Sequence, residues 1–292
     1  MRKFFMLILA TLFIFIPTGV VAQMQEFPEN LKFLEVSEEL TNESVEVPII
    51  MYHLVTEKSK YIGKYGITPS EFKQDLQFLR ENGYNTIVMQ DLINFVDHGT
   101  PLPPNPIMLT IDDGNFSDYE YVLPLLQEFE KKAVLAVIAH AADKYTKMSE
   151  ENPKSRFPNL TWEQVKSLHE SGFAEIQNHS YNLHDKGGSG KRKGESAEAY
   201  HSRLLNDLTK MQEGCQSVLG YAPTAFVYPL GVIGDGSREV LNEIGLRGSF
   251  SCQEGMNVIR RGDADSLFLL KRTNRPSGRS IEVIIKSIVA SR

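Results

Sequence analysis

Ile107-Met108-Leu109-Thr110-Ile111-Asp112-Asp113-Gly114 is the stretch around which the chain is organised. Its first five residues are apolar and rich in β-branching, and Pro106 and Gly114 bound the run. That pattern predicts a buried strand. Two carboxylates stand side by side where the strand ends, and a helical pattern follows. Adjacent acids at the tip of a buried strand repel and pay for desolvation unless a cation or a proton is supplied. The alternative is a solvated Asp-Asp-Gly turn. The remainder of the chain bears on which holds.

Outward from this strand, strand and helix patterns alternate. Val47 to His53, Asn85 to Val88, Ala133 to Ile138, Phe173 to Asn178, Ala225 to Tyr228, Gly248 to Phe250 and Leu267 to Leu270 read as strands. Helices are expected from Thr68 to Gly83, Asp91 to His98, Asp118 to Lys131 (kinked or delayed by Pro124), Thr161 to His169, Ser196 to Leu219, Ser237 to Ile244 and Ser280 to Ala290. Asp143 to Asn159 reads as a long polar loop, and Asp185 to Gly194 as a basic, glycine-rich one. The alternation suits right-handed βαβ units. The fold class expected is α/β, a distorted or incomplete (β/α) barrel of about seven or eight parallel strands. Chemistry in such barrels gathers at the C-terminal strand ends. His53, Asp112, Asp113, His179 and Tyr228 all stand there.

The N-terminus reads differently. Arg2 and Lys3 precede an apolar run from Phe4 to Ile16, and Val20 and Ala22 are placed for cleavage after Ala22. Residues 1–22 are therefore expected to be a secretory signal, the run being short for a membrane span; the alternative is an uncleaved anchor. No cysteine follows for a lipid anchor. Residues 23–46 read as an acidic linker, and 47–292 as the folded domain. Without Arg2 and Lys3 the chain carries 29 basic against 37 acidic residues, a net of −8. That balance argues against a nucleic-acid partner. Hydrophobic residues make up 41% and charged residues 23%, ample for a sizeable core. Cys215 and Cys252 could form one bridge or remain core thiols, too few for a disulfide framework.

A second motif is His179-Ser180-Tyr181-Asn182-Leu183-His184. Histidines five apart suit a loop that folds back, not one helix face. Two imidazoles and a carboxylate make a facial set for a divalent ion with open positions. His98, His140, His169 and His201 are read as ordinary core or surface residues.

Thr110-Ile111-Asp112-Asp113-Gly114 with His179-Ser180-x-x-x-His184 resembles the polysaccharide deacetylases, the NodB-homology carbohydrate esterases, over roughly residues 47 to 275. The usual first motif has Phe where this chain has Ile111. Met51-Tyr52-His53 and the long His-to-His spacing look most like the biofilm poly-N-acetylglucosamine deacetylase branch. The resemblance implies that Asp113, His179 and His184 ligate a divalent metal, most simply Zn2+, with Co2+, Ni2+ or Mn2+ as alternatives. It implies that Asp112 is the general base. Phe226 to Gly231 corresponds to the third motif, so the backbone N–H of Leu230 would donate to the oxyanion.

Two departures stand out. Val227 occupies the position of an Arg that orients the base in many members, and no histidine follows His201 to serve as the usual late general acid. His53 is the candidate acid, since it ends the first strand. Arg272 is a candidate partner for Asp112, unless it belongs to a solvated Lys271-Arg272 pair. The expected activity is removal of N-acetyl groups from an N-acetylglucosamine polysaccharide or peptidoglycan, outside the cytoplasm, on an acetylated glycan substrate and with no stable membrane insertion. The alternatives are an O-acetyl esterase and a catalytically silent glycan binder. Trp162, Tyr181 and Tyr228 are candidate stacking faces for sugar rings.

Overall fold

A computed structural model describes residues 43–185 and 187–291. The expected signal, residues 1–22, and all but the last four residues of the expected linker lie outside them. In chain order the elements are β1 (Ser44–Val47), β2 (Ile49–Tyr52), β3 (Leu54–Val55), β4 (Gly66–Ile67), α1 (Pro69–Glu81), β5 (Asn85–Ile87), α2 (Met89–His98), β6 (Pro106–Asp113) and α3 (Leu123–Phe129). There follow β7 (Ala133–Val137), α4 (Ala139–Glu151), α5 (Trp162–Glu170), β8 (Ala174–Asn178), α6 (Ala197–Leu219), β9 (Ala225–Val227), α7 (Ser237–Glu243), β10 (Gly248–Phe250), β11 (Asn257–Arg260), β12 (Thr273–Asn274) and α8 (Ile281–Ala290).

The main sheet runs β10-β9-β8-β7-β6-β2-β12, with β5 also pairing β6. Every pair in it is parallel. It curls into a distorted, incomplete (β/α) barrel. Leu270 narrows the seam with one parallel bridge to Phe250 at the far edge. Alternation along the strands divides the core. Ile49, Met108, Val134, Ala136, Ala225, Val227 and Phe250 pack together on one face of the sheet. Ile50, Leu109, Ile111, Leu135 and Ile176 pack on the other, against helices that include α1, α3, α5 and α8. Successive side chains on a strand point to opposite faces, so Thr110 and Asp112 share the first face with Met108.

Local chemistry explains the helix starts. Thr68 with Glu71, and Thr161 with Gln164, form reciprocal capping boxes at α1 and α5. Asp118–Val122 winds as a π-helical turn that runs directly into α3, and Pro124 follows it in the first turn of α3. A buried network ties α1 to β2 and to the residue just beyond β12: Arg275 Nε donates to Asp75 Oδ2 at 2.8 Å and Tyr52 Oη donates to the same oxygen at 3.1 Å.

The structure corrects several expectations. The segment read as the loop Asp143 to Asn159 is largely α4. Among its residues only Ala139 and Ala142 are buried, so the sequence carries no apolar stripe to announce a helix. Leu267 to Leu270 is not a strand. It begins as the end of a 3-10 turn (Ala264–Leu267), and Leu269 takes φ 55°, which breaks an extended run. The strand of that region is β12, two residues long. The end of the expected linker forms β1, paired antiparallel with β11, a strand the sequence did not signal. Cys215 and Cys252 are not bridged; Cys215 is buried and Cys252 exposed.

Candidate metal centre and active-site cleft

β6 delivers Asp112 and Asp113 to the C-terminal end of the barrel, and the chain turns sharply there. Asp113 takes φ 82° and Gly114 φ 64°. The turn is buttressed from outside: Leu160 N donates to the Gly114 carbonyl at 3.0 Å, and Phe116 N to that of Pro158 at 2.9 Å. The left-handed turn at Asp113 ends the strand alternation that would otherwise place its carboxylate with Ile111.

His179 follows β8 directly and is buried. Its Nδ1 lies 2.8 Å from the Val227 carbonyl. A carbonyl only accepts, so Nδ1 carries the proton and Nε2 keeps its lone pair. His184 reaches the same place by a folded-back loop. Ser180 at φ 76° starts the reversal, and Asp207 of α6 accepts from Tyr181 N at 2.7 Å and Asn182 N at 2.9 Å. Leu183 N closes on Ser180 Oγ at 2.9 Å. The Asp113 Oδ1 atom is 3.5 Å from His179 Nε2 and 3.1 Å from His184 Nε2.

These three ligand atoms lie within 4.8 Å of one another. Burial pushes the Asp113 carboxyl upward, but the two imidazoles override it and hold the group well below the usual range. Its Oδ1 is buried with no hydrogen-bond donor among the described residues. A buried carboxylate oxygen facing two imidazole Nε2 atoms fits a divalent cation, and the 2-His-1-carboxylate set leaves positions open.

Asp112 is held apart from that trio. Arg272, wholly buried, donates from Nη1 to Asp112 Oδ1 at 2.7 Å and from Nη2 to Oδ2 at 2.9 Å. The same guanidinium donates from Nε to the Ser251 carbonyl at 2.9 Å and from Nη1 to Thr110 Oγ1 at 3.2 Å. Burial raises the Asp112 carboxyl, but Arg272 and then His179 bring it below its ordinary value. Arg272 is therefore no solvated neighbour of Lys271. It reaches the acid from the residue just ahead of β12, at the edge of the sheet beyond β2.

His53 directly follows β2 and lines the same cleft. Its ring packs on Tyr65 at 4.8 Å between centroids, and its Nδ1 is buried without a partner among the described residues. Burial lowers its pKa, with Asp112 and Asp113 pulling the other way. Leu230 sits on the cleft at φ 57° with its side chain half exposed. Together Asp113, Ser180 and Leu230 place three non-glycine residues in the left-handed region around one site. Such strain concentrates where function fixes the backbone.

The cleft holds about 650 Å³ and is walled by Met51, Tyr61, Lys64, Tyr65, Cys252 and Glu254 besides these groups. The sequence reading missed that wall. The expected stacking residues stand elsewhere: Trp162 is buried with its indole N–H on Asp143, Tyr228 is buried with its hydroxyl on Ser237, and Tyr181 packs beside His140. The other histidines are accounted for locally, His201 by Glu243 at 2.8 Å and His169 by stacking on Tyr221.

The family model described as polysaccharide deacetylase matches residues 99–249, just over half of the chain. The chain belongs to the polysaccharide deacetylase family. Asp112, Asp113, His179, His184 and Leu230 fall inside the matched span; His53, Arg272 and the Tyr61–Tyr65 wall fall outside it. Curated relatives include the poly-β-1,6-N-acetyl-D-glucosamine N-deacetylase of Escherichia coli K12, 27% identical over 249 residues. That alignment covers 78% of this chain but only 37% of the relative. The corresponding Staphylococcus aureus N315 protein is 23% identical, with 67% and 64% covered. Among solved structures, a de-N-acetylase from Aggregatibacter actinomycetemcomitans superposes with a TM-score of 0.70 at 23% identity, covering 84% of this chain and all of that one. IcaB from Ammonifex degensii gives 0.63 at 24%, covering 79% and 92%. These likenesses agree with the fold described above.

Proposed function

We propose that this chain is a metal-dependent deacetylase that hydrolyses N-acetyl groups of an N-acetylglucosamine polymer outside the cytoplasm. One observation carries the reading: Asp113, His179 and His184 converge in one cleft beside an Asp112 clamped by Arg272. The curated relatives, which are poly-β-1,6-N-acetyl-D-glucosamine N-deacetylases, support that substrate class. The N-terminal signal pattern supports export.

Asp113, His179 and His184 would hold the ion, most simply Zn2+. When bound, such an ion lowers the pKa of water and polarises an amide carbonyl. Asp112 is the general base that takes the proton of the attacking water. Arg272 keeps it ionised and fixes its plane, and each carboxylate oxygen retains a lone pair beyond its hydrogen bond. The Leu230 backbone N–H donates to the oxyanion. His53, across the cleft, hands a proton to the departing amine, so acetate and a free glucosamine amine result. No stable insertion in a membrane is part of this reading. Among the described residues no helix is long and apolar enough to cross one.

The silent-binder alternative drew on the missing guanidinium at Val227. Arg272, just ahead of β12, gives Asp112 that partner from another part of the chain, which favours catalysis. The test is acetate release from β-1,6-linked N-acetylglucosamine oligomers after metal is restored. Turnover lost in Asp112→Asn is the expected result; oligomer binding without acetate release by the unaltered protein would favour the silent reading.

A further inference from the structure

The segment between β3 and β4 carries Lys60-Tyr61-Ile62-Gly63-Lys64-Tyr65, and nothing in the mechanism above uses it. Tyr61 and Tyr65 are 51% and 50% exposed, unusual for large aromatics, and both line the cleft that holds the metal-ligand set. The wall is built rather than loose. Gly63 N donates to the Gly66 carbonyl at 2.8 Å and Leu54 N to that of Tyr65 at 3.0 Å. From the far end of the chain, Asn274 Nδ2 holds the Lys64 carbonyl at 2.7 Å and Ser277 N the Gly63 carbonyl at 2.9 Å. A Cβ at Gly66 would collide with the Tyr61 carbonyl, so the loop closes only with glycine there. The Lys60 and Lys64 ammonium groups lie 4.7 and 4.8 Å from the Tyr61 and Tyr65 ring centres. Cation–π contacts of this kind restrain both rings.

Resting on the deacetylase reading, we infer that Tyr61 and Tyr65 form a stacking platform for the hexosamine ring next to the one that loses its acetyl group. The apolar C–H face of a pyranose needs a flat apolar partner, and its rim of hydroxyls needs donors and acceptors. The tyrosine rings supply the first; Lys64, Asn115 and Glu254 on the same cleft supply the second. A cleft of about 650 Å³ is of the size that buries a drug-sized ligand, so it takes more than one sugar ring. Tyr65 also touches His53, which places the platform directly beside the reacting sugar. The platform selects for polymer over monomer.

The test compares binding of a β-1,6-linked N-acetylglucosamine pentamer and of the free monosaccharide to the full chain, its Tyr61→Ala variant and its Tyr61→Phe variant. Tyr61 touches neither His53 nor the metal ligands, so Zn2+ uptake by calorimetry reports that the site survives the change. Tyr61→Ala is expected to weaken pentamer binding about tenfold, leave monosaccharide binding unchanged and keep Zn2+ uptake; Tyr61→Phe is expected to bind the pentamer like the unaltered protein. Equal pentamer affinity in Tyr61→Ala, or equal loss for both sugars, overturns the platform. Acetate release is measured alongside. Pentamer binding that depends on Tyr61 but yields no acetate keeps the platform while the deacetylase reading falls.

Discussion

Replacing Arg272 by Lys keeps a positive charge but removes the fork that meets both oxygens of Asp112. Planar two-point recognition of a carboxylate is a property of guanidinium, not of ammonium. Arg272→Lys is expected to cut turnover about a hundredfold through misplacement of the base, with Zn2+ uptake unchanged by calorimetry. Unchanged turnover would mean that Asp112 is positioned by something other than Arg272. Leu230 poses the opposite case. Its side chain is half exposed while its backbone is held at φ 57°, a conformation that costs an L-residue about 1–2 kcal/mol. Leu230→Gly keeps the N–H and relieves the strain, so it is expected to retain activity and to gain about 1 kcal/mol or less in urea denaturation, since glycine also frees the unfolded chain. Activity lost in that variant would show that the leucine side chain itself contacts substrate.

At the scale of elements, the site depends on two junctions. The first is the turn after β6. Gly114 at φ 64° has no room for a methyl group without crowding Val137 on β7. The second is the buried Asp75–Arg275 pair, which fixes α1 against the chain just beyond β12 and therefore bears on Arg272, three residues earlier. Asp75→Ala leaves a buried guanidinium without its main partner and is expected to cost about 3 kcal/mol or more in denaturant unfolding; a loss under about 1 kcal/mol would show that Glu71, 3.6 Å from Arg275, compensates. Elements with strong local signals were legible in the sequence. The capping boxes at Thr68 and Thr161 and the apolar strands β6 and β7 left clear patterns. α4 did not, because its buried face is two alanines. The seam did not, because a contiguous apolar run such as Leu267 to Leu270 carries no period that separates strand from turn.

Across the whole molecule, parallel strands bring together groups from His53 to Arg272, over two hundred residues apart. The convergence of Asp113 and His179 was legible because strand ends share one layer in such a barrel, and that of His184 because its spacing from His179 asks for a loop that folds back. The Tyr61–Tyr65 wall was not, since aromatics in a loop have no periodicity to mark them. If the barrel is completed by a cation, folding and metal binding are linked. Zn2+ at a hundred times its Kd is expected to add about 2.7 kcal/mol of stability, read as a raised Tm, and His184→Ala is expected to lose that increment. The most direct test of the central claim is calorimetric titration of Zn2+ into the metal-stripped protein and its Asp113→Ala and Asp112→Asn variants. The expected result is one ion per chain, bound by the unaltered protein and by Asp112→Asn but not by Asp113→Ala. No uptake by the unaltered protein, or uptake that survives in Asp113→Ala and fails in Asp112→Asn, would contradict the account.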